Sequence, residues 1–451
     1  MNQKIFSCFL ACFFIAQFYV AIGSDRTTNR IKKAVDNIWL IDTHEHLVTE
    51  KGRMQFTTGF FYFVRNYVVH DLVSSGMSKE EEKFVFNENE PLDKRWEVFQ
   101  PYWDKSKNTG YALCLRTAAK GLFGINEINK EACLILDKKL RTTNKKGWYD
   151  YVLKEKARID ISIVDPQEVY TKLDDQYPED FFLQVLRVDK YLFFGGKGIT
   201  DAKNQTGMEI ISLTDYLNAL DSIIAKGTVK DKIVGLKCGV AYNRELFFED
   251  IGKDIAADLF DKMIKSSKDI TEEESKKLQD FMMHHVIQQA VLYNLPIQLH
   301  TGMLAGNWNR NPIENTNARH LVNLFLKYPK AKFVLFHGNY PYMEELTYLA
   351  KSFPNVYIDM CWMAIISPPA SKQYLEEWLL TVPASKIMAF GGDIGRNVEW
   401  VYGHAVMARS IVAEVLAKMV NDKYYTEEEA IAIAGMILRN NAIDLYNIEL
   451  I

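Results

Sequence analysis

The sequence predicts an α/β fold, a closed (β/α)8 barrel of the TIM type, from three observations. Short β-branched or aliphatic runs recur eight times, most leading through a polar turn into an amphipathic helix, the alternation of parallel strands with crossover helices. Eight such steps suit a closed barrel better than an open sheet. The third observation is size: 451 residues, 48% of them hydrophobic, can fill one barrel and carry a large insertion besides. A composition with 25% charged residues excludes collagen, coiled coil and general disorder.

The chain opens on Lys4 and an almost unbroken apolar stretch from Ile5 to Ile22, ending in Ala21-Ile22-Gly23, a small-x-small site. A basic residue, an apolar run and such a site predict a signal peptide over residues 1–23, with export to the periplasm or the medium. An uncleaved anchor is the alternative, since the run just reaches across about 30 Å of hydrocarbon. No later segment is apolar enough to span, so no membrane contact is expected after cleavage. Residues 24–451 then form a single barrel domain. Cys8 and Cys12 belong to the leader; Cys114, Cys133, Cys238 and Cys361 are scattered without CxxC spacing, and disulfides are not indicated.

The eight predicted strands are Ile38–Ile41, Ile161–Val164, Phe182–Leu186, Ile233–Cys238, Pro296–Leu299, Lys332–Phe336, Val356–Met360 and Lys386–Phe390. Thr271 with Glu274, and Thr426 with Glu429, read as capping boxes opening helices. Between the first two strands lies a long stretch, residues 48–158, rich in aromatics such as Phe60, Trp96 and Trp103. A structureless loop of that length is improbable, so a helical insertion over one end of the barrel is expected. Its charged run, Lys79 to Lys83, reads as a solvated helix face.

Chemistry-bearing residues sit at strand ends. Ile41-Asp42-Thr43-His44-Glu45-His46 puts two imidazoles two residues apart, hence on one face of a strand, where both can reach one ion. Lys237 ends VGLKCG, His300 ends PIQLH, His337 ends FVLFH and Asp393 ends MAFGGD. In a parallel barrel all C-terminal strand ends meet on one rim, so these residues converge. Nitrogen ligands with a carboxylate and an open position make a catalytic metal site, and favour zinc over manganese, iron or nickel. The other histidines, His70, His284, His285, His320 and His404, lack this placement and read as structural.

This pattern of HxH after strand one, Lys after strand four, His after strands five and six and Asp after strand eight resembles the amidohydrolase superfamily of metal-dependent barrel hydrolases. HTGM with Asn311-Pro312, FHGNYPY, FPNVYIDM and ILRNNAIDLY look more narrowly like the branch attached to glutamine-synthetase-like proteins. Uronate isomerases are more distant relatives that share the opening HxH and a helical insertion after strand one. The resemblance implies His44, His46, His300 and Asp393 as metal ligands, with Asp393 also handling the proton of the attacking water. It implies His337 as either a second-metal ligand or an electrophile beside the substrate. Lys237 would bridge two ions if carboxylated and act as a cation near substrate if not; Cys238 should pack away from the site. One zinc ion or two, or another divalent metal, is the implied cofactor.

Hydrolysis of a C–N bond is the reaction these residues match best. On the rim loops, Tyr242, Trp308, Arg310, Tyr340 and Arg396 are candidate substrate contacts, and the arginines suit a carboxylate, pointing to a small acidic substrate. Acidic and basic residues, 58 and 54, are interspersed, which gives nucleic acid no sustained positive field. Self-association is compatible with the sequence. An aldose–ketose isomerase acting on uronates is the second reading, and an exported metal- or ligand-binding barrel without turnover the third. Isomerase relatives tend to lack the strand-four lysine and the HTG and HGNYPY segments, which favours hydrolysis.

Overall fold

The computed structural model describes residues 26–166, 177–178, 180–192, 197–230, 232–266, 269–306 and 311–450. The predicted leader, Trp308 and Arg310 lie outside the described residues. Eight parallel strands follow one another around the sheet in sequence order: β1 (Leu40–Glu45), β2 (Ile159–Val164), β3 (Phe182–Arg187), β4 (Gly235–Cys238), β5 (Pro296–Leu299), β6 (Lys332–Leu335), β7 (Val356–Asp359) and β8 (Ile387–Met388). The last strand returns to the first: Thr43 N donates to Phe390 O at 3.3 Å and Asp393 N to His44 O at 2.8 Å. This is a (β/α)8 barrel.

All eight predicted strands are present, β5 with the predicted bounds and the others with shifted edges. β1 starts two residues later than predicted and runs through the polar Asp42-Thr43-His44-Glu45, so His44 lies within the strand and only His46 follows it. Those polar side chains escape water because the strand is buried along its whole length. β8 pairs over Ile387 and Met388 alone, since the chain then turns into the Gly391-Gly392-Asp393 rim. The capping boxes at Thr271/Glu274 and Thr426/Glu429 form, each hydroxyl accepting from the backbone N–H three residues on.

The motifs near the C-terminus have structural work at the other end of the barrel. Tyr446 Oη accepts from Gln298 Nε2 at 3.0 Å, and Gln298 also donates to Thr43 O at 3.1 Å, closing the interior between β1 and β5. Asn441 Nδ2 bonds the carbonyls of Ala384 and Ile387, each at 2.7 Å, fixing the start of β8. Asn355 of the FPNVYIDM segment caps the carbonyls of Phe325 and Tyr328.

Between β1 and β2 the chain forms a group of helices, among them Glu50–Arg53, Phe60–Val64, Val68–Ser74, Lys79–Val85, Leu92–Ser106, Gly110–Phe123 and Lys130–Thr142. They share an aromatic core in which Phe60, Phe61, Phe99 and Trp96 meet edge to face or tilted, with centroids 5.1–5.8 Å apart. Burying each such ring contributes about 1.5–3 kcal/mol, enough to make this segment a packed unit over the rim.

Candidate metal centre

Four strand ends supply the centre. From β1 come His44 and His46, whose Nε2 atoms stand 3.2 Å apart. Asp393, after β8, places Oδ1 at 3.6 Å from His44 Nε2 and 3.3 Å from His46 Nε2. From β5 and β6 come His300 and His337, with Nδ1 of the first 3.1 Å from Nε2 of the second. The second oxygen of Asp393 lies 3.9 Å from His337 Nε2, so one carboxylate spans both imidazole pairs.

Hydrogen bonds on the far side of each ring decide what the facing nitrogens carry. His300 Nε2 meets Met303 O at 2.9 Å, and His337 Nδ1 meets Cys361 O at 2.9 Å. A carbonyl only accepts, so both of these nitrogens hold the ring hydrogen and both facing nitrogens are lone pairs. Two lone pairs at 3.1 Å repel unless a cation stands between them. A proton is a poor candidate: burial and the neighbouring Lys237 charge hold His337 down to about 3, and burial with the Lys237 charge holds His300 well below the usual range. His46 is fixed the same way, its Nδ1 on Asp165 O at 2.9 Å, leaving Nε2 free to ligate. The donor set therefore fits a divalent ion at this point, with imidazoles oriented by acceptors behind them. His44 Nδ1 is buried without a hydrogen-bond partner among the described residues.

Lys237, at the end of β4, is 1% exposed. Its Nζ lacks a hydrogen-bond partner among the described residues and lies 3.8 Å from the centroid of the Phe336 ring. Burial pulls its pKa below the ordinary lysine value, against the attraction of Asp165 and Asp393. Asp393 is raised by burial, which the charge of Lys237 opposes.

The backbone here is unusual. His337, Asn339, Trp362 and Asp393 all adopt left-handed conformations, with φ between 54° and 64°. Such conformations cost about 1–3 kcal/mol each for residues other than glycine and persist where contacts enforce them. Trp362 N is held by Gly391 O at 2.9 Å, and the Tyr67 hydroxyl donates to Asp393 O. The HTG motif has a steric reason: Gly302 has φ +69°, and a Cβ on it would stand 2.3 Å from Tyr340 O.

A cavity of about 1800 Å³ opens onto the cluster, lined there by His46, Tyr67, Arg187, Lys237, Tyr242, His300 and Asp393. Among the proposed substrate contacts, Tyr242 reaches this wall, its ring 4.5 Å from that of His300 and its hydroxyl accepting from Ala305 N at 3.1 Å. Tyr340 and Arg396 are not part of the lining. Arg396 places its guanidinium 4.9 Å over the Phe56 ring instead, because the insertion draws the loop after β8 outward. Cys238 is fully buried off the cavity.

Sequence reasoning missed Asp165, Arg187 and Asp189. Arg187 forks onto Asp165, with Nε at 3.0 and 3.2 Å and Nη2 at 2.5 Å, and reaches Asp189 from Nη1 at 3.2 Å. Burial alone would raise Asp165, but the charge of Arg187 and its hydrogen bonds outweigh it and hold the carboxyl below its usual value. Position was the available signal, since Asp165 directly follows β2 and Arg187 ends β3.

Residues 269–448 match the family model described as amidohydrolase. A segment of 183 residues is 31% identical to protein fluG of Emericella nidulans, covering 39% of this chain; it spans about a fifth, 21%, of that relative's length. Similar solved structures include a uronate isomerase from Thermotoga maritima (TM-score 0.75, 16% identity, 93% of this chain and 97% of that one). A glucuronate isomerase from Caulobacter crescentus gives a TM-score of 0.75 at 15% identity, over 94% of each chain. A putative metal-dependent hydrolase from Lactobacillus casei gives 0.63 at 19% identity, over 92% of this chain and 97% of that one. At such identities these neighbours speak to the fold.

Proposed function

From a barrel and a family match that fit the amidohydrolase superfamily, whose members use divalent metals, we propose that this chain is a metal-dependent hydrolase cleaving a C–N, amide-type bond of a small acidic substrate. The observation that carries this reading is the pair of facing imidazole lone pairs of His300 and His337, with the Asp393 carboxylate 3.9 Å from His337 Nε2. Zinc is the ion we propose, from the nitrogen-rich donor set with one carboxylate.

A bound ion of this kind lowers the pKa of water from 15.7 to about 7 and polarises a carbonyl. Asp393 borders the cavity and stands 3.3 Å from His46 Nε2, so it can accept a proton from the attacking water and return it to the leaving nitrogen. Lys237, which lines the same cavity, would stabilise the oxygen that gains charge. Lys237, a cation on the cavity wall beside the centre, supports an acidic substrate. We extend the proposal to export through the leader at residues 1–23, and to the absence of nucleic-acid partners.

A panel of carboxylated amides turned over in heavy-oxygen water tests this. The product acid should carry the solvent oxygen, and Asp393→Asn should lose about 10²- to 10⁴-fold in kcat while keeping part of its metal. Full activity in that variant would end the proposal. The second reading, aldose–ketose isomerisation of a uronate, draws on the two isomerase neighbours. Conversion of glucuronate to a keto sugar, with no amide hydrolysed, would put it in place of the first.

A further inference from the structure

The cavity that opens onto the metal centre is larger than that centre requires. At about 1800 Å³ it exceeds the roughly 300–1,000 Å³ that encloses a typical small ligand. All six residues of β3 line it, and a strand of that length runs about 20 Å at 3.3 Å per residue. Arg187, at one end of β3, pairs with Lys237 beside the centre. Val185 pairs with Gly235, and the residues just before Gly235, Lys232 to Val234, line the cavity toward the start of the strands. There the wall combines apolar side chains, Ile233, Leu295 and Ile448 among them, with Lys226, Lys230 and Lys232.

Local structure gathers the three lysines. Lys226 and Lys230 are four residues apart at the end of the helix Leu213–Val229, so they share one face of its last turn, and Lys230 N donates to Lys226 O at 2.8 Å. The chain then doubles back: Lys232 takes a left-handed φ of 50°, and Ile233 N donates to Gly227 O at 3.0 Å. Gly227 permits this return, since a Cβ on it would stand 3.1 Å from Ile233 Cδ1. The negative end of the helix dipole favours lysine in a last turn, but it does not account for Lys232, which lies past the helix. Among the described residues none of the three makes an ion pair, and Glu449, a carboxylate on the same stretch of wall, stands beyond pairing distance of them. The charge to be matched here is negative and the walls beside it are apolar. A bare anion would use the lysines alone, whereas a carboxylate with a hydrocarbon chain uses both.

We propose that this end of the cavity binds a long-chain carboxylate, its head held by Lys226, Lys230 and Lys232 and its chain lying along Ile233, Leu295 and Ile448. The site is a strand's length from the metal centre and does not depend on the hydrolase reading.

Calorimetric titration of the full-length protein with laurate, below its micelle concentration, decides the matter. One laurate per chain is expected, with the same affinity before and after metal is stripped by chelator. Combining Lys226→Gln, Lys230→Gln and Lys232→Gln should weaken binding at least about tenfold and leave metal uptake unchanged, since these exposed side chains lie away from the metal ligands. Octanoate, four methylenes shorter, should bind about 10²-fold more weakly. Dodecyltrimethylammonium, with the same chain and the opposite charge, should not compete, and neither should inorganic phosphate at equal concentration. Laurate binding that vanishes with the metal would place the carboxylate on the ion and overturn the proposal. So would no binding, an affinity indifferent to chain length, competition by the ammonium compound or by phosphate, or an affinity that survives all three substitutions. Should the triple variant fail to fold, the chain-length and head-group series on the unaltered protein gives the answer.

Discussion

Arg187 touches none of the four imidazoles, yet it governs one of them. Its fork holds Asp165, and the Asp165 carbonyl fixes the tautomer of His46 at 2.9 Å. Replacing it by methionine leaves Asp165 buried without its cation and frees the strand end that orients His46. Partners behind a ligand of this kind are worth about 10–100-fold in metal affinity. Arg187→Met should therefore weaken zinc binding by that factor in competition with a chromophoric chelator, and Arg187→Lys should recover only part, because an ammonium cannot fork. Affinity unchanged in Arg187→Met would mean that Asp165 holds its place unaided. At this scale the sequence exposed the candidate ligands but not their supports. His44 and His46 stand out by spacing, whereas the Asp165-Pro166 and Arg187-Val188-Asp189 turns look like ordinary strand ends. The left-handed backbone at His337 and Asp393 was hidden for another reason: it is enforced by partners far off in the chain, such as Tyr67 on the Asp393 carbonyl.

Among the elements, the helices between β1 and β2 act as a clamp on the loop after β8. Tyr62 donates its hydroxyl to Arg396 O at 2.8 Å, Asn397 Nδ2 donates to Tyr62 O at 3.0 Å, and Trp400 Nε1 donates to Phe63 O at 2.8 Å. Beneath them Arg53 pairs with Glu399 at 2.6 Å, with side chains 1% and 0% exposed, and Trp148 Nε1 donates to the same carboxylate at 2.8 Å. Removing one partner of so deep a pair strands the other charge, at a cost of about 3–5 kcal/mol. Arg53→Met should lower the urea-derived stability by that amount. Adding Glu399→Gln, which removes the stranded charge but keeps an acceptor for Trp148, should recover more than half. A double variant no more stable than the single one would assign the loss to packing. The strands were readable because each is a local apolar run; β1 was displaced because its polar half is hydrophobic in burial only, not in composition. The clamp could not be read, since each contact joins residues more than 250 positions apart and no local pattern encodes the pairing.

Across the whole molecule, buried titratable groups pull stability in opposite directions with pH. Burial brings His404 down to about 4 from the model-peptide 6.5, while its Nδ1 donates to Gly392 O at 3.1 Å. The folded state then holds fewer protons than the unfolded chain between those values. The His404 contribution is complete above 6.5 and is lost as pH falls toward 4, by roughly 3 kcal/mol for a shift of this size. Asp42 and Asp359 behave oppositely. Burial raises both to about 7, so the folded state holds the extra protons and their contribution is lost as pH rises from the unfolded value of 3.8 through 7. The overall profile is thus a partial cancellation, and a single curve for the unaltered protein says little about either set. A difference curve separates them. In urea titrations at a series of pH values, the unaltered protein should lose about 3 kcal/mol more than His404→Gln on acidification from 6.5 to 4, whatever the absolute stability of the variant. Parallel curves would show that His404 titrates alike folded and unfolded, and that the acid sensitivity of the barrel lies elsewhere.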